Sequence, residues 1–76
     1  MPTTLDTLRP GDRATIEELR GAAETTSRLM EMGLVIGTPI EIVKYAPLGD
    51  PIEILVRGYH FSLRRAEAAE IVVSTS

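Results

Sequence analysis

Residues 28–43, Arg28-Leu29-Met30-Glu31-Met32-Gly33-Leu34-Val35-Ile36-Gly37-Thr38-Pro39-Ile40-Glu41-Ile42-Val43, change their hydrophobic rhythm halfway along. The first half reads as the end of a helix. Residues 22–32 hold Ala22, Ala23, Glu24, Arg28, Leu29, Met30, Glu31 and Met32, all of good helical propensity. Gly33 falls where a left-handed residue ends a helix, and Leu34 can fold back onto the face carrying Leu29 and Met32. From Pro39 the period becomes two. Ile40 and Ile42 point one way, and Glu41, Val43 and Tyr45 point the other. The stretch is therefore a corner between a helix and a strand.

Outward from this corner the chain is mostly strand. On the N-terminal side, Leu5 and Leu8 suggest one helical turn capped by Thr3 or Thr4, and Pro10-Gly11 suggests a tight turn. Asp12–Leu19 then offers a strand with Ala14 and Ile16 facing inward. On the other side, Ala46-Pro47-Leu48-Gly49-Asp50-Pro51 is a turn-rich connection. Ile52, Ile54 and Val56 alternate with Glu53, Leu55 and Arg57. After Gly58, Tyr59, Phe61 and Leu63 alternate with His60 and Ser62. Arg64–Ala69 fits one helical turn, and Ile71 and Val73 close with a short strand.

Five short strands and one substantial helix cannot build a parallel α/β layer, which needs a crossover helix for each parallel pair. Rolling the strands into a small barrel limits exposed edges and fills the interior with Ile, Val and Leu. The expected architecture is mainly β with one or two short helices, a small SH3-like barrel in one domain spanning 1–76. An OB-fold is the alternative. At 76 residues such a chain buries only about 60% of the surface its unfolded form exposes.

Composition narrows the function. The formal charge is −3, and the seven arginines and single lysine are scattered, which disfavours nucleic-acid binding through a basic surface. No cysteine is present, so disulfides, thiolate metal sites and thiol nucleophiles are excluded together. No apolar run approaches the ~20 residues of a membrane span. The N-terminal residues lack the pattern of a signal peptide. The chain is expected to stay in the compartment where it is made, reaching a membrane only through a partner.

Catalytic candidates fail on chemistry. His60 is the sole histidine, no nucleophile elbow accompanies it, and an outward strand position accounts for it. Glu17-Glu18 and Glu67/Glu70 lack the shared cleft that paired acid–base carboxylates need. One histidine with scattered carboxylates does not make a dedicated metal site. Met30 and Met32 diverge on a helix, which places Met32 in the core and Met30 outside. Gly33 and Gly37 follow a helix instead of opening one and lack the Lys-Ser/Thr ending of a phosphate loop. No catalytic, cofactor or metal residue is assigned. The aromatic side chains are too few for a base-stacking or polyproline platform. The remaining candidate is a protein-binding face on the outer side of the strands, formed by Val43, Tyr45 and Leu55.

The order of these features resembles a known family. Arg28–Leu34 (RLMEMGL), Gly37, the alternating Ile40–Val43, the loop Ala46–Ile52 (APLGDPI) and Ser62–Val73 (SLRRAEAAEIVV) are together similar to FeoA, ferrous iron transport protein A. The resemblance runs from Leu5 to Val73. One departure is visible after Leu34, where family members often carry proline and glycine and this chain has Ile36 before Gly37. The resemblance implies an SH3-like barrel and a cytoplasmic accessory role in bacterial ferrous iron uptake. Its implied partner is the cytosolic region of FeoB, a membrane transporter with a G-protein domain. It brings no catalytic or cofactor site. The domain is also similar to the C-terminal SH3-like domain of iron-dependent repressors. A stand-alone, metal-responsive regulatory module is therefore the alternative, although no helix-turn-helix accompanies it. Self-association is left open.

Overall fold

The computed structural model describes residues 2–75. Met1 and Ser76, the ends of the expected 1–76 domain, lie outside the described residues. The chain runs β1 (Pro2–Thr4), a 3-10 turn (Leu5–Thr7), β2 (Arg13–Leu19), α1 (Ala23–Glu31), β3 (Pro39–Tyr45), β4 (Ile52–Val56), β5 (Tyr59–Leu63), α2 (Arg65–Ala68) and β6 (Ile71–Thr75). All six strands join one antiparallel sheet in the order β1-β6-β2-β3-β4-β5. The expected mainly β architecture with two short helices is present. Its sixth strand, β1, is three residues long and too short to show a period.

The helix-to-strand corner forms as its sequence requires. The Leu34 amide donates to the Leu29 carbonyl at 3.0 Å, and Gly33 donates to Met30 at 2.9 Å. These two bonds define a Schellman ending, and its left-handed residue is Gly33 at φ 95°. Leu29 and Leu34, the apolar pair that accompanies such an ending, are both fully buried. Leu29 is the one buried residue of α1, so this single side chain docks the helix. Met32 at the C-cap is half-buried instead of lying in the core. Arg28 forms an ion pair with Glu67, joining α1 to α2.

The corner is then tied to β2. Gly37 donates to the Ile16 carbonyl at 2.7 Å and Ile16 donates back to Thr38 at 2.9 Å. Thr38 is a buried polar residue, and its hydroxyl bonds the Gly33 carbonyl at 3.4 Å. This satisfies a group that would be costly to leave unpaired. One core fills the inner side of the sheet. It is built from Ala14, Ile16, Ile40, Ile42, Ile52, Ile54, Val56, Leu63, Ile71 and Val73, and closed by Leu5, Leu8, Leu29, Leu34 and Ala68.

One strand departs from the expected alternation. The β3–β4 register shifts between Ile42 and Lys44, so that Lys44 pairs with Glu53 and Tyr45 with Ile52. A bulge inserts one residue and reverses the facing of everything after it. Tyr45, expected on the outer face, therefore packs against the core, and Lys44 takes the outer position.

Candidate functional site

Of the three residues expected to form an outer patch, the structure turns Tyr45 away from the other two. Leu55 is half-buried on the outer face, in a cross-strand row that reads Arg13, Glu41, Leu55, His60 from β2 to β5. Arg13 and Glu41 in this row form an exposed ion pair at 3.3 Å. Val43 is the residue left over by the bulge and is half-buried. Tyr45 is turned away from both.

Tyr45 anchors the N-terminal segment. Its hydroxyl donates to the Leu8 carbonyl at 2.5 Å, with the Asp6 carbonyl at 3.2 Å. Its ring lies 5.6 Å beneath the Arg65 guanidinium, within cation–π range. Burial pushes the phenol pKa up from 10.0. Arg65 opposes that shift, while Asp6 and Asp12 reinforce it. A raised phenol pKa means that the unfolded chain loses this proton first as pH rises. Stability from this source is complete below about pH 10 and falls as pH climbs toward the folded value. Tyr45→Phe is expected to cost about 1 kcal/mol at neutral pH, the size of one lost hydrogen bond. It should also flatten the alkaline decline in stability. Denaturant unfolding of both proteins at neutral pH and above pH 10 measures both effects.

Arg65 also holds the 46–51 loop. Its amide donates to the Asp50 carboxylate at 3.0 Å, and its guanidinium reaches the Gly49 carbonyl at 3.4 Å. Bonds from Ala46 to Pro51 and from Gly49 to Ala46 close the loop on itself. Leu48 at its tip is nevertheless 96% exposed.

A strongly apolar opening lies elsewhere, where α1 meets the end of β2. A groove of about 440 Å³ is lined by Glu18, Leu19, Thr26, Met30, Val35 and Ile36. Met30 is 50% exposed and Ile36 69% exposed. Leu19 forms the floor and packs against the core. The corner bonds described above fix Val35 and Ile36 in place, because the Thr38 amide donates to the Val35 carbonyl at 3.1 Å. The helical pattern places Met30 outside but does not join it to Ile36. The signal was the Val35-Ile36 pair between Gly33 and Gly37, two branched apolar residues in a turn segment with no strand to face.

Polar chemistry is sparse. His60 Nδ1 lies 2.8 Å from Glu53 Oε2 on neighbouring strands, an exposed pair. Among the described residues no three His, Cys, Asp or Glu side chains gather closely enough to hold a metal ion. Among the same residues no helix is long and apolar enough to cross a membrane.

Comparison with known proteins agrees with this geometry. The sequence model of the FeoA domain matches residues 3–75. A relative in Porphyromonas gingivalis, the Fe(2+) transport protein A/Fe(2+) transporter FeoB fusion protein, is 42% identical over 69 residues. That match takes in 91% of this chain but only 8% of the relative's length. The solution structure of FeoA from Chlorobium tepidum superposes with a TM-score of 0.91 at 38% identity, covering 96% of this chain and 70% of that one. FeoA of Stenotrophomonas maltophilia, a prokaryotic SH3 domain protein solved in complex with zinc, gives 0.82 at 32% identity, over 95% and 89% of the two chains. The barrel is therefore SH3-like. IdeR of T. acidophilum shares this fold with a TM-score of 0.87 at 22% identity, over 99% of this chain and 34% of that one.

Proposed function

The chain belongs to the FeoA domain family of ferrous iron transport, and from that premise we propose that it is a non-enzymatic cytoplasmic module that binds the cytosolic region of the transporter FeoB and modulates it. The observation that carries this reading is the fusion relative, in which the matching segment and a FeoB transporter share one polypeptide. Covalent linkage raises the effective concentration of two modules for one another, and it is useful when they act together. The apolar groove between α1 and β2 is the contact surface that the geometry favours. It is concave, its walls are held by backbone bonds, and it displays Met30 and Ile36. The outer row containing Leu55, with Val43 beside it, is crossed by the exposed Arg13–Glu41 ion pair, and the cavity there is smaller, about 350 Å³.

The metal-responsive alternative rests on His60 and Glu53, which could supply two ligands. A dedicated site needs at least three, so the partner-binding reading is preferred.

Calorimetric titration of the purified protein into the soluble cytosolic region of FeoB, with and without guanine nucleotide, tests the proposal. Saturable binding is expected, with an affinity that differs between the nucleotide states. Absence of heat and of binding in every nucleotide state would overturn it.

A further inference from the structure

The β4–β5 hairpin turns through Arg57 and Gly58, at φ 52° and 85°. Two left-handed residues in a two-residue connection make a type I′ turn, whose flanking pair exchanges both backbone bonds. Val56 and Tyr59 are that pair. Alternation then makes Ile54–Phe61 and Ile52–Leu63 the bonded pairs, and Leu55–His60 and Glu53–Ser62 the non-bonded ones. The amides and carbonyls of His60 and Ser62 therefore point away from β4.

Among the described residues β5 is the last strand of the sheet, with no strand beyond it. Among the described residues no backbone bond outside the sheet involves His60 or Ser62, and both residues are exposed. This is an open edge with two donors and two acceptors at the spacing of a ladder.

The charges around this edge decide what it can accept. Residues 57–65 contain Arg57, Arg64 and Arg65 and no carboxylate, in a chain whose net charge is −3. All three arginines are exposed, and they bracket the strand at both ends. A second copy pairing antiparallel, with His60 opposite Ser62, would bring the Arg57 turn of each copy to the arginine-bearing end, Arg64 and Arg65, of the other. Like charges gathered at both ends of such a pair disfavour it. A segment with carboxylates at its ends meets the opposite situation. On the inner side of the edge, Tyr59 is 70% exposed and Phe61 half-buried, a surface that suits apolar side chains at alternate positions.

We propose that β5 adds an extended segment of the partner as a further strand, bonded through His60 and Ser62, with apolar residues over Tyr59 and Phe61 and carboxylates against Arg57 and Arg64. This rests on the FeoB reading, since the segment is sought on that protein. It also assigns a second contact distinct from the α1 groove. Strand addition draws its affinity from main-chain bonds and its selectivity from alternate side chains.

Amide hydrogen exchange of the full chain with saturating FeoB cytosolic region is the test. Exchange at His60 and Ser62 is expected to slow at least tenfold, while Phe61, already bonded to β4, changes little. Ser62→Pro removes one outward donor without touching the β4 ladder, because an edge position tolerates proline. It should weaken binding about tenfold, the size of one backbone hydrogen bond, with the melting temperature retained.

Binding that leaves both amides unprotected would overturn the strand-addition inference and leave the FeoB reading standing. Failure of the cytosolic region to bind at all would count against the FeoB reading. The edge would then be judged with a peptide of alternating valine and threonine carrying two glutamates at each end. Slowed exchange at His60 and Ser62 with that peptide would support the edge, and unchanged exchange would overturn it. Protection that grows with protein concentration in the absence of any partner would mean that the edge takes a second copy, and would overturn the assignment.

Discussion

Replacing Leu29 with alanine is expected to lower the unfolding free energy by about 3 kcal/mol, within the range for large-to-small changes at fully buried sites. Leu29 is 1% exposed and is the one buried residue of α1. A nine-residue helix has little stability of its own in water and depends on the packing of its apolar face. Removing that contact undocks the helix and leaves Leu34 without its partner in the Schellman ending. The Arg28–Glu67 ion pair cannot compensate. The Arg28 side chain is 59% exposed, and pairs near the surface contribute little. For a chain of this size the loss is a large fraction of the total stability. Denaturant unfolding followed by circular dichroism checks it. A wild-type midpoint combined with lost FeoB binding would instead make Leu29 a contact residue.

The second large effect concerns binding. Met30→Asp together with Ile36→Asp is expected to weaken association with the FeoB cytosolic region on the order of 100-fold, as befits the loss of two apolar anchors at the centre of an interface. Both side chains already face solvent, so the unfolding midpoint should stay close to that of the unaltered protein. Added carboxylates beside Glu18 also lower the attraction of the groove for any apolar surface. Calorimetry on the folded double variant gives the answer. Unchanged affinity would move the contact to another face, of which the Leu55 and Val43 surface is the first to test by the same substitutions.

Much of this fold was legible because its signals are local. The glycine at position 33, the apolar pair Leu29/Leu34 and the alternation in Ile52–Val56 each act within a few residues of chain, and each formed as expected. The bulge in β3 was not seen, although the sequence held a trace of it. Strict alternation from Ile40 would bury Lys44 beside Ile42, and an unpaired lysine is rarely tolerated there. Moving Lys44 outward and Tyr45 inward resolves the conflict, as the register with Glu53 and Ile52 shows. The expected patch lost Tyr45 for this reason. The α1 groove was hidden for a different one. Leu19 and Ile36 are brought together only when β2 pairs with the chain beyond the corner, and no periodicity within one segment reports that. The short β1 had no pattern of its own and exists because β6 offers it an edge.

The position of β6 has a consequence for how the molecule is made. It lies between β1 and β2, so Pro2 finds its partner only in Ser74, and Leu19 only in Ile71. During synthesis the hairpins of β3, β4 and β5 can form as they leave the ribosome, since their partners are neighbours in the chain. β2 can pair with β3 on one side, but β1 and the other side of β2 must wait until Thr75 has emerged. Closure is therefore a single late event joining distant parts of the chain, the kind of contact that slows folding most. A nascent chain stalled before β6 would lack Ile71 and Val73 from its core and leave one edge of β2 unpaired. That intermediate is where a chaperone would find its substrate.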